Sequence, residues 1–322
     1  MHIVATGGYG FIGSAFVKLA IASGHEVSIL DKMTYAADLA NIDKNVADSC
    51  NFKELDVSDS AALFSYLEQI PKIDYIVNFA AESHVDRSIN DGKPFVESNI
   101  LGVVNLLEFV KKNKIIKFLQ VSTDEVYGTI EEGSWQETAP IDPRSPYSAS
   151  KASAELFCAA YRNTHQLQIT ITRCANNFGP QQSAEKLIPT VIRHVLANKP
   201  VPVYGKGLNI REWIYVDDHA SAILQIIEKK DCQHEIYNIG GVASTNIDLV
   251  KIILGLMGKN EDCIEFVKDR PGHDFRYSVD SSLYEAEFGK LDNKLHANLK
   301  TTVEWYLANQ DWLSRSENKV MH

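Results

Sequence analysis

Thr123, Asp124 and Glu125 stand side by side one residue after the apolar run Phe118-Leu119-Gln120-Val121. Two carboxylates that close at the end of a buried strand raise each other's pKa, and burial raises both further. One held protonated beside one held ionised is an acid and a base within reach of the same substrate. A solvated acidic turn is the competing reading. A second pair, Tyr147 and Lys151, lies four residues apart in the stretch YSASK. That spacing puts both side chains on one helical face, and Pro146 suits a helix start. An ammonium beside a phenol stabilises phenolate, so the tyrosine pKa is expected to fall far enough for it to act as a base. Alone, this spacing equally describes the face of a surface helix.

Gly7, Gly10 and Gly13 recur at three-residue spacing in TGGYGFIGS. Glycines between a strand and a helix allow a tight turn and close approach of a pyrophosphate to the helix N-terminus. An ordinary tight turn has the same pattern, but the context adds Asp31, 18 residues beyond Gly13 at the end of the next apolar run. A carboxylate there accepts hydrogen bonds from an adenosine ribose and repels a 2′-phosphate, which favours NAD over NADP.

Such residues need a frame. Short β-rich runs are expected at His2–Thr6, Glu26–Asp31, Phe52–Leu55, Tyr75–Phe79, Phe118–Val121 and Ile169–Arg173. Amphipathic stretches alternate with them at Phe11–Ser23, Ala61–Gln69 and Phe95–Lys112. Alternation of apolar strands with helices predicts an α/β fold, a Rossmann-type doubly wound parallel sheet covered on both faces. Ligands of such sheets bind beyond the carboxyl ends of the strands, where Thr6, Asp31, Phe79 and Val121 fall. From Gly179 onward Pro and Gly punctuate shorter elements, with helices expected near Asp217–Lys229 and Ile247–Met257. The division expected is a dinucleotide-binding domain over 1–178 and a smaller C-terminal α/β substrate lobe over 179–322, some of whose segments cross back.

The chain has 322 residues, and 32 Lys and Arg against 42 Asp and Glu give a net charge of −10. That balance argues against a broad nucleic-acid or anionic-membrane surface. No apolar run reaches the roughly 18 residues of a membrane span. The N-terminus runs straight into a strand without a signal-like apolar segment. Five scattered cysteines without a CxxC pair read as reduced thiols. A cytoplasmic protein without a metal is expected.

The chain resembles the extended short-chain dehydrogenase/reductase family, and within it the dTDP-glucose 4,6-dehydratases. The resemblance runs through TGGYGFIGS, AAESHVDRSI (80–89), STDEVYG (122–128), SPYSASKAS (145–153), EKLIP (185–189), VYGKGLNIREWIYVDDHA (203–220), DRPGHDFRY (269–277) and TTVEWYLAN (301–309). The glycine and Tyr/Lys motifs mark the superfamily, whereas Asp124-Glu125 singles out the dehydratases. The chain departs from the pattern at Ser183-Ala184, where a bulkier residue and a proline would precede Glu-Lys, and in a short stretch between Gly128 and Pro140.

The resemblance implies a chemistry for the residues that opened this section. Tyr147, helped by Lys151 and Thr123, would take the O4 proton of a hexose as C4 is oxidised. Glu125 would remove the C5 proton, and protonated Asp124 would donate to the departing C6 hydroxyl. It also implies an NAD site made of Gly7, Gly10, Phe11, Ile12 and Gly13, then Asp31 and Lys32, then Asp56 and Val57. Ala80, Ala81, Ser83, Asn99, Tyr147 and Lys151 would complete it. Ser83 and Thr123 would touch the hexose. Asn177, Lys186, Leu187, Pro202, Tyr204, Asn246 and His273 would line the nucleotide site, with Arg211 and Arg270 on the phosphates. The partner implied is a nucleotide sugar, and the assembly a homodimer. A dehydratase of another nucleotide sugar, a 4-epimerase and a silent nucleotide-sugar sensor are the rival readings.

Overall fold

The computed structural model describes residues 1–269 and 272–321. Strands β1 (His2–Thr6), β2 (Glu26–Asp31), β3 (Asn51–Glu54), β4 (Tyr75–Asn78), β5 (Lys117–Thr123) and β6 (Ile169–Cys174) follow one another in the first half of the chain. The second half adds β7 (Asn176–Phe178), β8 (Val201–Tyr204), β9 (Ile210–Tyr215), β10 (Ile236–Ile239), β11 (Val242–Thr245) and β12 (Ile264–Val267). The main sheet is parallel with the order β10-β6-β5-β4-β1-β2-β3. Its central strands are apolar on both sides because helices cover both faces: Ile3, Val4, Ala5, Ile76 and Val77 are all 0% exposed.

The main helices are α1 (Phe11–Ala22), α2 (Ser60–Leu67), α3 (Gly102–Lys112), α4 (Pro146–His165), α5 (Leu187–Leu196), α6 (Val216–Glu228), α7 (Asn246–Leu256), α8 (Ser282–Phe288), α9 (Leu295–Ala308) and α10 (Gln310–Met321). One face of the sheet buries Phe16, Val17 and Ala20 of α1 with Ile223 and Ile227 of α6. The other buries Leu63 of α2, Leu106 and Val110 of α3, and Ala154 and Cys158 of α4. A separate core, with Ile188, Val191, Trp213, Leu249 and Tyr306, holds the smaller lobe together.

Segments beyond residue 179 return to the main sheet: β10 pairs with β6, Ile236 opposite Ile171, and α6 packs on α1. In the other direction β7, although before 179, joins β9 and β11 in a small sheet.

Three local features fix the site. Register aligns the carboxyl ends, with Thr6 opposite Asn78, Asn78 opposite Gln120, and Thr123 opposite Cys174. Helix α4 starts with Pro146 in its first turn and a reciprocal cap: the Ser145 hydroxyl accepts from the Ser148 amide and the Ser148 hydroxyl accepts from the Ser145 amide, each at 3.0 Å. That cap, which satisfies two amide donors at once, sets the rotation of the turn carrying Tyr147. Below it, buried Glu155 of α4 takes two hydrogen bonds from Arg173 of β6, at 2.9 and 2.6 Å, so helix and sheet are locked together.

The structure differs from expectation over Phe95–Lys112. Val96–Leu101 forms a wide π-helical turn ahead of α3, a distortion that recurs at functional sites. It aims Asn99 at the loop after β4, where its side chain accepts from the Glu82 amide at 2.8 Å and donates to the Glu82 carbonyl at 2.9 Å. Among the described residues no helix is long and apolar enough to cross a membrane.

Candidate active site

The turn after β1 packs its backbone against the loop after β4. Gly7 has φ +67°, and a Cβ there would sit 2.7 Å from the Ala80 amide nitrogen. A Cβ on Gly13 would lie 2.2 Å from the Gly7 carbonyl oxygen. Glycine is therefore required for packing alone, and the result leaves the N-terminus of α1 with no side-chain cap on Gly10. Uncapped amides at a helix N-terminus suit an anionic group. A groove runs from this turn along Asp31, Lys32, Asp56, Val57, Ala80 and Ala81. The Asp31 carboxylate accepts from the Tyr9 and Met33 amides, both at 2.9 Å, while burial pushes its pKa up. Lys32 pairs with Asp56 at 2.6 Å. The cradle, its helix terminus and the carboxylate at its far end fit a dinucleotide. Asn99 is the exception: it lines neither this groove nor the adjoining cleft, and holds the Glu82 loop from behind.

The groove continues into a cleft with about 1140 Å³ of empty space, open to solvent. Gly7, Gly10, Phe11, Ile12 and Gly13 form one end, and Thr123, Asp124, Glu125, Tyr147 and Lys151 all line it. Asp124 is 2% exposed. Its Oδ1 accepts from the Thr123 hydroxyl at 3.2 Å, and its Oδ2 is buried with no partner. A carboxylate left that way would be costly, and burial, then the neighbouring charges of Glu125 and Glu212, hold the pKa well above the usual carboxylate range. Asp124 is thus the member of the pair that its surroundings drive toward the protonated form. Half-buried Glu125 supplies the charge beside it.

Tyr147 and Lys151 share a helix face, but their electrostatics overturn the expected lowering of the tyrosine pKa. Burial and then the Glu125 charge push the phenol well above its ordinary value, against which a hydrogen bond with the Thr123 side chain works. Lys151 donates to the Val121 carbonyl at 2.6 Å, and burial brings its pKa down to about 8. Close packing around both groups, needed to exclude water, disfavours their charged forms.

Ser83, Asn177 and Lys186 line the same cleft. Lys186 reaches across it to the Ser83 carbonyl at 3.0 Å. Asn177 is held by His219, Nδ1 to Oδ1 at 2.9 Å; burial lowers the His219 pKa to about 3, so the ring is neutral. The remaining nucleotide candidates gather on the smaller lobe. Leu187 opens α5, Pro202 and Tyr204 lie on β8, and Asn246 opens α7. The Tyr204 ring meets the His273 imidazole edge-on at 6.3 Å, and His273 pairs with Asp269 at 2.7 Å. Arg211 lies 4.2 Å from the Tyr277 ring centroid and donates to the carbonyls of Ile210, Asp274 and Phe275. Arg270 lies outside the described residues.

Asn176, Gln182 and Ser183 line the cleft with buried oxygens lacking a partner. Ser183 stands out in the sequence as a departure from the family pattern, whereas sequence reasoning missed Asn176 and Gln182, for which proximity to the motif residue Asn177 was the only signal.

A parallel sheet with a glycine turn, a Tyr-x-x-x-Lys helix and a carboxyl pair facing one cleft defines a dinucleotide-dependent enzyme of the short-chain dehydrogenase type. Residues 3–240 match the NAD dependent epimerase/dehydratase family, and the chain belongs to it. A probable dTDP-glucose 4,6-dehydratase of Sinorhizobium fredii is 43% identical over 99% of this chain and 97% of that protein. The crystal structure of the dTDP-glucose 4,6-dehydratase DesIV of Streptomyces venezuelae, with NAD bound, is similar at a TM-score of 0.92 and 42% identity, covering 97% of this chain and 98% of that one. The UDP-glucose 4-epimerase of Thermotoga maritima has a TM-score of 0.89 but 27% identity, over 96% of this chain and 100% of that one.

Proposed function

We propose that the protein is a nucleotide-sugar 4,6-dehydratase that converts dTDP-glucose to dTDP-4-keto-6-deoxyglucose and water, with NAD as its cofactor. The observation that carries this reading is Asp124, buried with one carboxyl oxygen unpartnered, beside Glu125 on the cleft wall that also presents Tyr147. An epimerase that only inverts C4 has no use for a second acid and base next to its tyrosine. Gly7, Gly10, Phe11, Ile12 and Gly13 hold the pyrophosphate, Asp31 the adenosine ribose, and Tyr147 with Lys151 the nicotinamide end. When bound, the dinucleotide supplies a two-electron acceptor and donor for the hexose carbons and, oxidised, a positive charge that favours phenolate.

Tyr147 takes the O4 proton, with the Thr123 hydroxyl holding the same oxygen. Oxidation at C4 makes the C5 proton acidic, because the carbanion becomes an enolate. Glu125 removes that proton. Asp124 gives its own proton to the C6 hydroxyl, which leaves as water, and Glu125 returns a proton to C5 as the hydride first taken from C4 comes back to C6. Burial of Asp124 keeps bulk water from taking its proton before the C6 hydroxyl does, whereas half-buried Glu125 exchanges with solvent. The nucleotide is carried on the smaller lobe by Lys186, Leu187, Pro202, Tyr204, Asn246 and His273, with Arg211 and Arg270 at the phosphates. The lobes correspond to residues 1–178 and 179–322, apart from the crossing strands and helices.

The enzyme works in the cytoplasm as a homodimer. Support for the dimer comes from Val96, Leu101, Leu156 and Phe157, apolar side chains 39–61% exposed on neighbouring helical segments. Light scattering at low micromolar concentration should return twice the chain mass of 36.0 kDa.

Incubation with dTDP-, UDP-, GDP- and CDP-glucose and mass spectrometry of the products tests the function. Loss of one water from dTDP-glucose alone is expected. Loss from another member of the panel would move the substrate, and no loss from any would end the dehydratase reading.

A further inference from the structure

Gln182, Ser183, Glu185 and Lys186 form one wall of the cleft, and the segment that carries them is pinned from outside. The Tyr306 hydroxyl of α9 donates to the Gln182 carbonyl at 2.7 Å. The Ser316 hydroxyl of α10 accepts from the Ala184 amide at 3.0 Å, and Thr190 of α5 donates to the Ala184 carbonyl at 3.1 Å. The Gln182 amide group donates to the Asn177 carbonyl at 2.7 Å, and the Lys186 amide donates to the Ser183 carbonyl at 3.0 Å. Between these anchors the Ser183 hydroxyl is buried without a hydrogen-bond partner and lines the cleft. So does Gln182 Oε1, on a side chain only 7% exposed.

A hydroxyl buried without a partner is destabilising, and here it sits on backbone that neighbouring helices hold rigid. Preorganised polar groups of this kind serve a ligand. Ser183 shares its cleft with Thr123, Asp124, Glu125 and Tyr147 on one side and with Asn177 and Lys186 on the other, while Leu187, Pro202, Tyr204, Asn246 and His273 are not among the residues lining it. It therefore faces the sugar–phosphate part of the ligand, not the base. If the dehydratase reading holds, on which this inference rests, Tyr147 and Thr123 take O4, and Glu125 and Asp124 take C5 and O6. The hexose hydroxyls left for Ser83 and for the wall that carries Ser183 are O2 and O3.

We propose that Ser183 is a specificity-determining residue that hydrogen-bonds O2 or O3 of the hexose. The rigid segment holds the ring so that C4, C5 and C6 meet the chemical groups. Its contact distinguishes a glucosyl nucleotide from one lacking or inverting that hydroxyl.

Calorimetric titration of the NAD-loaded protein with dTDP, dTDP-xylose and the 2-deoxy and 3-deoxy forms of dTDP-xylose tests this. Xylose keeps O2, O3 and O4 but has no C6 from which water could leave. Ser183→Ala should weaken dTDP-xylose by about 3- to 10-fold, the range of one net hydrogen bond. It should leave dTDP unchanged. One of the two deoxy ligands should bind variant and wild type equally, because the group contacted is already missing. Unchanged dTDP-xylose binding, an equal loss for dTDP, or an undiminished loss for both deoxy ligands would each overturn the proposal. Should the wild type prefer UDP-xylose, the nucleotide assignment fails and the same cycle on UDP-sugars decides the role of Ser183. If no nucleotide pentose binds better than its nucleoside diphosphate, both readings fail.

Discussion

The Lys151 ammonium donates to the Val121 carbonyl at 2.6 Å, which ties the catalytic helix to β5 two residues before Thr123. Burial brings its pKa down to about 8, against about 10.4 in an unfolded chain. Between those values the unfolded chain binds more protons than the folded one, so this group makes stability rise with pH. From pH 8 to 10 the contribution should approach about 1.4 kcal/mol per pH unit. Urea denaturation of wild type and Lys151→Met across that range checks it: the variant should lack this increment and be the more stable of the two near pH 7. Equal pH slopes would mean that Lys151 is not desolvated.

Replacing each carboxyl of the pair by its amide should stop different steps. Glu125→Gln leaves Tyr147 and Lys151 intact, so C4 oxidation should occur and reduced cofactor should accumulate, visible by absorbance. Exchange of the C5 proton with solvent should be strongly slowed. Asp124→Asn should allow oxidation and some C5 exchange but lose water expulsion, an amide being a poor proton donor. Each turnover rate should drop about 10²–10⁴-fold. Swapped exchange results would reverse the two roles, and near-normal rates in both variants would leave the pair without a catalytic role.

Arg173 and Glu155 are 5% and 3% exposed. Arg173→Met would leave Glu155 buried without its cation, at a cost of about 3–5 kcal/mol. Arg173→Met combined with Glu155→Leu should recover most of that loss, because the buried charge goes too. Chemical denaturation of the three proteins separates the pair's contribution from the size of the cavity made.

Asp31 should make the protein retain NAD and reject NADP. Denaturing the purified protein and identifying the nucleotide released should return NAD. Asp31→Ser, which removes the charge, should raise NADP affinity relative to NAD by tenfold or more, on the order of 1.4 kcal/mol. NADP released from wild type would contradict the role given to Asp31.

Much of the frame was legible because apolar runs ended at turn residues. β1 and β2 occupy His2–Thr6 and Glu26–Asp31 as expected, and the Pro146 helix start follows from local chemistry. What sequence could not show depends on distant partners. The π-helical turn at Asn99 makes sense only once Glu82 faces it. β10 finds Ile171 across 65 residues of chain. Ser183 is presented by hydroxyls of Tyr306 and Ser316, more than 120 residues away. The sign of the Tyr147 shift was misjudged for a related reason. Spacing of four reports that two side chains are neighbours, whereas their charges are set by how completely the rest of the fold excludes water.

Reaction of dTDP-glucose in deuterated water, followed by mass spectrometry and NMR of the product, would reveal where the hydrogens of C4 and C5 go. If Glu125 exchanges the C5 proton with solvent, the product should have lost one water, carry a ketone at C4 and hold one solvent deuterium at C5. The hydrogen originally on C4 should appear at C6, undiluted by solvent. A product of unchanged mass with inverted C4, or one whose C5 hydrogen never left, would contradict the roles of Asp124 and Glu125.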